Sequence, residues 1–381
     1  MPAALQVEAG RDRREIWGFR MVRDIEAAEL AKILGTDSEP FLLDVREPDE
    51  VREWSIPGAH NVPLGELSVR YTEVPRDRPV VAYCAAGGRS RQAADALDRA
   101  GYDIANLAGG IAAWGTVYDT VDVPAGTATV VQMRRRGKGC LSYVVGAGDE
   151  AFVVDPSLDT ERYVKMAAER GWSITRVFDT HLHADHLSGA RALAERTGAT
   201  LHLNPADSFS FDFEPLVDGQ RFVLGGTSEM EVSAVRTPGH TEGSTIYVVS
   251  SQVVLTGDTL FVDGVGRPDL AERAEEFARN LHRSLKERVL SLDDSTLILP
   301  AHYGGTVTVK PTEPVGATLG KLRGALPPLR MDEDEFVAWA AARATPRPPN
   351  YIEIVKANMG KSDLPMEALV RLESGPNRCS A

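Results

Sequence analysis

The pattern of apolar and polar positions divides the chain into two parts with different strand signals. In the first part, apolar runs at 41–45 and 80–83 alternate with the stretches 28–34 and 93–97, whose apolar residues have helical spacing. Strands that alternate with helices predict a parallel sheet covered on both faces. From about residue 128, apolar runs follow one another with turn residues between them, which predicts antiparallel strands.

These signals predict two domains, which agrees with a length of 381 residues at roughly 100–200 residues per domain. Residues 118–127 include Pro124 and Gly126, which are typical of a connector. The predicted division is an extension at 1–21, a first domain at 22–118, a linker at 119–127, a second domain at 128–325, and a C-terminal extension at 326–381 that packs on the second domain and has a frayed end.

Composition narrows the partners and the compartment. The formal net charge of −13 argues against nucleic acid or an anionic membrane surface as a partner. No apolar run approaches the roughly 20 residues of a membrane span, and the N-terminal stretch lacks the apolar run of a secretory signal. The chain has only three cysteines, Cys84, Cys140 and Cys379, and a small, odd number is not typical of a disulfide framework. We therefore expect a cytoplasmic protein that is independent of membranes.

The densest group of potential metal ligands lies at 180–186, directly after the apolar pair at 177–178. The ligand-type side chains in it are His181, His183, Asp185 and His186. Imidazole with carboxylate suits Zn or Fe, whereas Ca and Mg prefer oxygen ligands alone. Later predicted strands end close to His240, Asp258 and His302, so we expect these segments to converge with 180–186 at one edge of a sheet sandwich.

A second candidate site is the loop after the strand 80–83. It consists of a thiol and a small, glycine-rich run that opens a helix: Cys84, Ala85, Ala86, Gly87, Gly88, Arg89 and Ser90. Backbone amides in such a loop and the positive end of the helix favour a thiolate over a thiol. The same amides would stabilise an anion held over the sulfur. We therefore predict that Cys84 is reactive rather than a buried structural residue.

Four motifs between about residues 22 and 118 resemble a single-domain rhodanese; they are the runs 43–47, 56–63, 84–90 and 109–114. The resemblance implies a flavodoxin-like α/β fold with a parallel sheet, a persulfide carried on Cys84, and a substrate held by the amides of 85–90, with Arg89 adding charge. The loop is as short as that of sulfurtransferases, whereas related phosphatases and arsenate reductases have a longer one. The two alanines after Cys84 give it less positive charge than many rhodaneses have, which leaves the preferred sulfur donor open.

The ligand-bearing segments resemble the metallo-β-lactamase superfamily over about residues 128–310, because all of them occur in its order. This resemblance implies an αβ/βα sandwich, of α+β class, with a metal site at one edge. Because the superfamily supports several chemistries, the fold alone does not decide the reaction.

Two further runs are similar to persulfide dioxygenases. The run 266–269 matches their Gly-Arg-Thr-Asp motif except at Pro268, and the run 349–359 resembles their tail. The resemblance implies that Arg267 orders the glutathione pocket or the Asp258 loop, with a structural salt bridge as the equal alternative.

The same resemblance implies a metal centre with one Fe(II) per chain. Its ligands would be His181, His240 and Asp258, a 2-His-1-carboxylate set with positions open for O2 and a persulfide sulfur. The neighbouring side chains that would orient water or the ligands are His183, Asp185, His186 and His302.

Together the resemblances imply a sulfur-metabolising enzyme with two sites. At the iron, glutathione persulfide and O2 would give sulfite and glutathione. At Cys84, sulfane sulfur would move between thiosulfate, glutathione or sulfite. A rhodanese moves sulfane sulfur and a persulfide dioxygenase oxidises it, so the substrates of the two parts meet. In this chain the rhodanese-like part comes first, whereas comparable fusions place the dioxygenase first. A homodimer is a possible assembly.

Three alternatives stay open at this point. In a binuclear Zn site, the first ion would be held by His181, His183 and His240, the second by Asp185, His186 and His302, and Asp258 would bridge them. Such a pair would make a glyoxalase II-like thioester hydrolase. The second domain could instead be a non-catalytic module that binds or senses persulfide. The Cys84 loop could act on arsenate or phosphate.

Overall fold

The computed structural model describes residues 22–225, 230–268, 273–304, 307–343, 350–365 and 367–369. The predicted extension 1–21, Asp269, Pro349, Cys379 and most of the predicted frayed end lie outside these residues. The described chain forms two compact units. One consists of 22–30 and 40–113, and the other consists of 31–39 and the described residues from 114 onward.

The first unit is built on a five-stranded sheet in which every pair of neighbours is parallel. Its strands, in the spatial order β1-β5-β4-β2-β3, are β1 (Arg23–Ile25), β2 (Phe41–Asp44), β3 (His60–Asn61), β4 (Val80–Tyr83) and β5 (Ile104–Leu107). The helices between them are α1 (Ala27–Ile33), α2 (Pro48–Glu53), α3 (Leu67–Arg70), α4 (Gly88–Arg99) and α5 (Gly110–Trp114). All four residues of β4 are buried, as expected for a strand covered on both faces, and the predicted parallel α/β fold is confirmed.

The second unit contains a seven-stranded mixed sheet with the order β12-β11-β10-β9-β8-β7-β6. Its strands are β6 (Tyr118–Ala125), β7 (Ala128–Arg135), β8 (Cys140–Ala147), β9 (Glu150–Val154), β10 (Ser173–Phe178), β11 (Thr200–Leu203) and β12 (Glu214–Pro215). The pairs from β6 to β9 are antiparallel, and those from β9 to β12 are parallel.

A six-stranded sheet packs against this one. Its strands, which keep their chain order in space, are β13 (Arg221–Val223), β14 (Glu231–Arg236), β15 (Thr245–Val249), β16 (Val253–Gly257), β17 (Leu297–Pro300) and β18 (Ala317–Thr318). Side chains of both sheets, among them Phe152, Phe178 and Leu255, form one buried core between them. Burial of this apolar surface is the main force that holds the sheets together.

Helices cover the outer faces of both sheets. The unit's helices are α6 (Thr160–Glu169), α7 (Ala190–Thr197), α8 (Ala274–Ser284), α9 (Leu319–Ala325), α10 (Glu333–Ala342) and α11 (Tyr351–Asn358). Helices α6 and α7 bury Tyr163 and Leu193 against the seven-stranded sheet, while α8 to α10 pack on the other sheet through residues such as Leu281 and Phe336. The predicted αβ/βα sandwich is therefore confirmed. No helix in the described part of the chain is long and apolar enough to cross a membrane.

The predicted linker at 119–127 is wrong, because most of it is strand β6. Every residue from Tyr118 to Ala125 pairs with β7. Val121, Val123 and Ala125 are buried at alternate positions, and this period of two is the signal of a strand with one buried face. Pro124 is tolerated because β6 is the outermost strand of its sheet, where a missing backbone donor costs least.

Candidate metal centre and sulfur-transfer loop

Four loops that each follow a strand bring the predicted metal ligands together at one edge of the sandwich. The segment 181–186 follows β10, and His240 follows β14. Asp258 is the first residue after β16, and His302 comes two residues after β17. All the predicted ligands are at most 5% exposed, so the sheet ends hold them in a buried environment.

Three of these side chains present unpaired atoms to one another. Asp258 Oδ2 lies 3.7 Å from His181 Nε2 and 3.4 Å from His240 Nε2. Each of the three atoms is buried and has no hydrogen-bond partner among the described residues. Leaving three buried polar atoms unsatisfied is costly, and a shared cation would satisfy them all. The donor set therefore fits a metal ion held by two imidazoles and one carboxylate.

The Nδ1 atoms of His240 and His181 have contacts that leave Nε2 of each ring free to bind a metal. His240 Nδ1 lies 3.0 Å from the carbonyl oxygen of Arg267, which can only accept, so the proton sits on Nδ1 and Nε2 keeps its lone pair. His181 Nδ1 lies 2.9 Å from Thr180 Oγ1. Burial lowers the pKa of His240, and lowers that of His181 well below its usual value. Both rings are therefore neutral at neutral pH, as a ligand must be.

Asp258 is positioned by contacts on both sides. Its Oδ1 lies 2.6 Å from His302 Nδ1, which leaves Oδ2 for His181 and His240. The preceding Gly257 has a φ of 53°, and a Cβ at that position would lie 2.6 Å from Thr180 Oγ1. Only glycine therefore lets β16 pass close to the 181–186 loop and end at Asp258.

His183 is held by carboxylates rather than by the unpaired trio. Its Nε2 lies 3.1 Å from Asp155 Oδ1 and 3.8 Å from Asp179 Oδ1. Burial opposes a charge on the ring, but Asp155 and Asp179 raise the pKa of His183 well above its usual value. Its Nδ1 is buried without a partner among the described residues, so a metal could bind there only by displacing the proton that the raised pKa places on the ring.

A second group of donors lies beside the first. It consists of Cys140, Asp185, His186 and His302, whose ligand atoms lie within 4.8 Å of one another. Asp185 accepts from His186 Nδ1 at 3.2 Å, and burial alone would raise its pKa. The positive charge on His302 and His186 instead lowers the pKa of Asp185 well below its usual value. The buried Cys140 sulfur lies 3.9 Å from Oδ2 of Asp185, a predicted ligand.

Two residues without a predicted role of their own hold the ligand loops in place. The buried carboxylate of Asp207 accepts from the backbone N–H groups of Leu182 and Gly243, each at 2.9 Å. Asn358 donates from Nδ2 to the carbonyl oxygens of His183 and His186, each at 2.8 Å. Their partners lie far away along the chain, so no local pattern indicates these contacts, although Asn358 belongs to the run 349–359.

The loop of the first unit is arranged around the Cys84 sulfur. Cys84 follows β4, Gly87 has a φ of 96°, and Gly88 opens α4. The Gly87 N–H donates to Sγ at 3.2 Å, and the Ser90 hydroxyl lies 3.4 Å from it. Burial alone would raise the pKa of the Cys84 thiol, but the Ser90 hydroxyl and the amides of Ala86, Gly87 and Ser90 lower it. The loop therefore favours the thiolate.

The charged residue of this loop has a fixed partner. Arg89 makes a bidentate ion pair with Glu50, with both N–O distances at 2.7 Å. Arg89 lowers the pKa of Glu50 to about 2. Glu50 was not predicted from the sequence, and it holds the Arg89 side chain in one orientation beside the loop.

Comparison with known proteins agrees with this division. Residues 26–116 match the rhodanese-like domain, and residues 135–302 match the metallo-beta-lactamase superfamily. The human mitochondrial persulfide dioxygenase ETHE1 is 30% identical over 237 residues, which cover 57% of this chain and 82% of the human protein. A sulfurtransferase from Allochromatium vinosum is 40% identical over 95 residues, which cover 25% of this chain and 89% of that protein.

A solved structure gives the same result for the second unit. The crystal structure of ETHE1 from Myxococcus xanthus is 28% identical with a TM-score of 0.53, and the match covers 61% of this chain and 99% of that one. The matched family regions coincide with the parallel-sheet unit and the two-sheet sandwich. The chain therefore belongs to the metallo-beta-lactamase superfamily through its second unit and carries a rhodanese-like domain as its first.

Proposed function

We propose that this chain is a bifunctional enzyme of sulfur metabolism. Its second unit would oxidise glutathione persulfide with O2 to sulfite and glutathione, and its first unit would transfer sulfane sulfur through Cys84. The observation that carries the first activity is the trio of unpaired buried atoms, His181 Nε2, His240 Nε2 and Asp258 Oδ2. A 2-His-1-carboxylate set of this kind is typical of non-haem iron oxygenases. The similarity to persulfide dioxygenases supports the same reaction.

In the proposed reaction, glutathione persulfide, O2 and water give glutathione, sulfite and two protons. One Fe(II) per chain, when bound, would supply the redox chemistry for O2. His181 and His240 would hold it as neutral ligands, and Asp258 would provide the negative charge. His302 would keep Asp258 Oδ2 directed at the site, because it occupies Oδ1 at 2.6 Å. The carbonyl of Arg267 would fix the proton of His240 on Nδ1.

At the first unit, the Cys84 thiolate would attack the outer sulfur of thiosulfate. A new sulfur–sulfur bond forms on Cys84, and sulfite leaves with the electron pair of the bond that breaks. Attack by glutathione thiolate on the bound sulfur then gives glutathione persulfide and regenerates the Cys84 thiolate. The amides of Ala86, Gly87 and Ser90 that lower the Cys84 pKa would also stabilise the persulfide anion. The reverse sequence is balanced as well, with sulfite as the acceptor.

The decisive experiment combines metal analysis with oxygen uptake. The full chain, loaded with Fe(II) under anaerobic conditions, is mixed with glutathione persulfide and air-saturated buffer. We expect O2 consumption with sulfite as product, in a ratio of about one to one. Iron-loaded protein that consumes no O2 would rule out the dioxygenase, whether or not it binds the persulfide.

A variant separates the two activities. Cys84→Ala should abolish sulfur transfer from thiosulfate and leave oxygen uptake on glutathione persulfide unchanged, because the iron ligands all come from the second unit. A joint loss of both activities in Cys84→Ala would contradict two independent sites. Arsenate reductase or phosphatase activity that needs Cys84, without activity on thiosulfate, would overturn the sulfurtransferase assignment.

A binuclear zinc thioesterase is the second candidate for the sandwich unit. The observation that favours it is His183 Nδ1, which is buried and unpaired and could complete a three-histidine site with His181 and His240. The distinguishing result is about two zinc ions per chain and hydrolysis of S-lactoylglutathione without O2. We also propose a cytoplasmic location, since Cys84 and Cys140 are both free thiols.

A further inference from the structure

The Cys84 sulfur lies at one end of a chain of hydrogen bonds that leads away from its loop. The Ser90 hydroxyl lies 3.4 Å from Cys84 Sγ and donates to Oδ1 of Asn106 at 2.7 Å. Asn106 Nδ2 donates in turn to Oδ1 of Asp24 at 2.7 Å. Ser90 and Asn106 are at most 4% exposed, so the protein itself supplies the partners of both side chains. The loop is thereby connected to two residues, Asn106 and Asp24, that have no role in the proposed reaction so far.

Strand pairing holds the far end of this hydrogen-bond chain in place. Asp24 in β1 and Asn106 in β5 are direct partners in a parallel pair. Side chains alternate between the two faces along each strand, so partners in neighbouring strands point to the same face. Ser90 lies in the first turn of α4, directly after the loop. Asn106 therefore lies between the carboxylate of Asp24 and the hydroxyl of Ser90.

The charge on Asp24 determines which way the Asn106 amide faces. Burial alone would raise the pKa of Asp24, but hydrogen bonds from Asn106 and Arg91 lower it. An ionised carboxylate can only accept hydrogen bonds. The nitrogen of the amide must therefore face Asp24, and its carbonyl oxygen must face Ser90. In this orientation Asn106 can only accept from the Ser90 hydroxyl.

The Ser90 hydroxyl has one proton and three acceptors within reach. The distances from its oxygen are 2.7 Å to Asn106 Oδ1, 3.2 Å to the carbonyl oxygen of Gly87 and 3.4 Å to Cys84 Sγ. While the sulfur is neutral, the proton points to Asn106, which is the nearest acceptor. An anionic sulfur accepts more strongly, but turning the hydroxyl toward it leaves the buried oxygen of Asn106 unpaired. Asn106 and the sulfur consequently compete for one proton.

We propose that Asn106 is a positioning residue of the sulfur-transfer site, which holds the Ser90 proton while Cys84 Sγ is neutral and yields it when Sγ is an anion. No covalent bond changes in this step, because the hydroxyl only rotates. The inference rests on the proposed sulfur transfer and adds a residue to it.

The two states of the hydroxyl would follow the two half-reactions. In the persulfide the negative charge lies on the outer sulfur, so the Ser90 proton would return to Asn106. It would turn to Sγ again when an acceptor thiolate takes the outer sulfur and the Cys84 thiolate leaves. A less basic thiolate leaves faster but attacks more slowly. The competition would therefore set the balance between loading the sulfur and releasing it.

The pKa of Cys84 in the full chain tests this proposal. It is measured from the pH dependence of alkylation by iodoacetamide, followed on the Cys84 peptide by mass spectrometry. Asn106→Leu removes the competing acceptor at similar volume, so the pKa should fall by about 0.5–1 pH unit, the effect of one ordinary hydrogen bond. In the Ser90→Ala background the same change should have no effect, because Asn106 acts only through the hydroxyl. An unchanged or raised pKa in Asn106→Leu, or an equal fall with and without the hydroxyl, overturns the proposal.

The charged groups on the neighbouring elements are paired and are retained in these variants. The pairs are Arg89 with Glu50, Arg91 with Asp24, and Arg46 with Asp44. Asn61→Leu is the matched control, because it removes another asparagine of the same unit, whose side chain donates to the carbonyls of Asp44 and Arg46. The Cys84 pKa should keep its wild-type value in Asn61→Leu, and a fall equal to that in Asn106→Leu overturns the proposal.

A measurement on the unaltered chain guards against a variant that fails to fold. The side-chain amide signals of Asn106 in nuclear magnetic resonance spectra should shift with pH at the Cys84 pKa, and signals that do not follow this titration overturn the proposal. Neither measurement needs a sulfur donor. The expected pKa fall in a protein without activity on thiosulfate would thus reject the sulfur transfer and keep the hydrogen-bond competition, and activity with an unchanged pKa would do the reverse.

Discussion

His302 and Asp258 are joined by a contact of 2.6 Å between Nδ1 and Oδ1. Because this contact occupies one carboxylate oxygen, the other oxygen is directed at His181 and His240, 3.7 and 3.4 Å away. In the proposed iron site, His302 would therefore act through Asp258 and not as a ligand.

We predict that His302→Ala lowers the affinity for Fe(II) by about 10–100-fold, because Asp258 loses the partner that orients it. The affinity is measured by competition with a chelator that reports on iron alone. His60→Ala, which removes a half-exposed histidine of the first unit, should retain wild-type affinity. Unchanged iron affinity in His302→Ala would show that Asp258 is oriented without it.

Gly257→Ala should disturb the metal centre through the backbone. The residue has a φ of 53°, which costs an L-residue roughly 1–2 kcal/mol, and the new Cβ would lie 2.6 Å from Thr180 Oγ1. Gly171→Ala is the matched control, with a φ of 71° and no atom within 4 Å of the added Cβ. Both variants should lower the free energy of unfolding, measured by denaturant titration, but only Gly257→Ala should also weaken metal binding. Equal metal binding in the two variants would contradict this account.

Asn358→Ala should loosen the 181–186 loop from the C-terminal side. The change removes three hydrogen bonds, two to the carbonyls of His183 and His186 at 2.8 Å and one from Ser188 N at 2.9 Å. A cost of about 1–3 kcal/mol in unfolding free energy is expected for buried groups left unpaired. Asn358→Ala should also lose its metal to a chelator faster than the wild type, and this rate is the measurement specific to the loop. Lys356→Ala, an exposed change in the same helix, should leave both quantities unaltered.

Ser90→Ala should move the pH profile of sulfur transfer to higher pH. The Ser90 hydroxyl lowers the Cys84 pKa against the effect of burial, so removing it raises that pKa and reduces the thiolate fraction at neutral pH. The pH dependence of Cys84 alkylation reports the shift directly. Ser68→Ala, at an exposed position of α3, is expected to behave like the wild type. If the pH profile of Ser90→Ala is the same as that of the wild type, the backbone amides alone stabilise the thiolate.

Much of the site could be predicted because each ligand follows an apolar run. Asp258 comes directly after β16 and His302 shortly after β17, so the ends of apolar runs predict that both residues lie at one edge of the sheet. The Cys84 loop could be predicted for the same reason, since it lies between β4 and α4. Local order along the chain carries this information.

The remaining features depend on contacts between distant residues. Cys140 meets His302 across an antiparallel bridge, and Glu50 meets Arg89 across 39 positions. Neither pairing leaves a local pattern in the sequence. Strand β6 is difficult to predict for a different reason. Pro124 and Gly126 indicate a turn or connector, whereas the alternation of buried residues indicates a strand. Turn-forming residues at the edge of a sheet are compatible with a strand.

The hydrogen bonds of Asp207 have a consequence for how the centre is filled. This one carboxylate ties the loop of Leu182 to the loop of Gly243, at 2.9 Å on each side, so hydrogen bonds within the protein join two loops of the site independently of any ion. Small zinc domains differ in this respect, because they fold only when the ion binds. We therefore expect the two loops to stay together when a bound ion is removed with a chelator, and a second ion to be taken up without refolding of the chain.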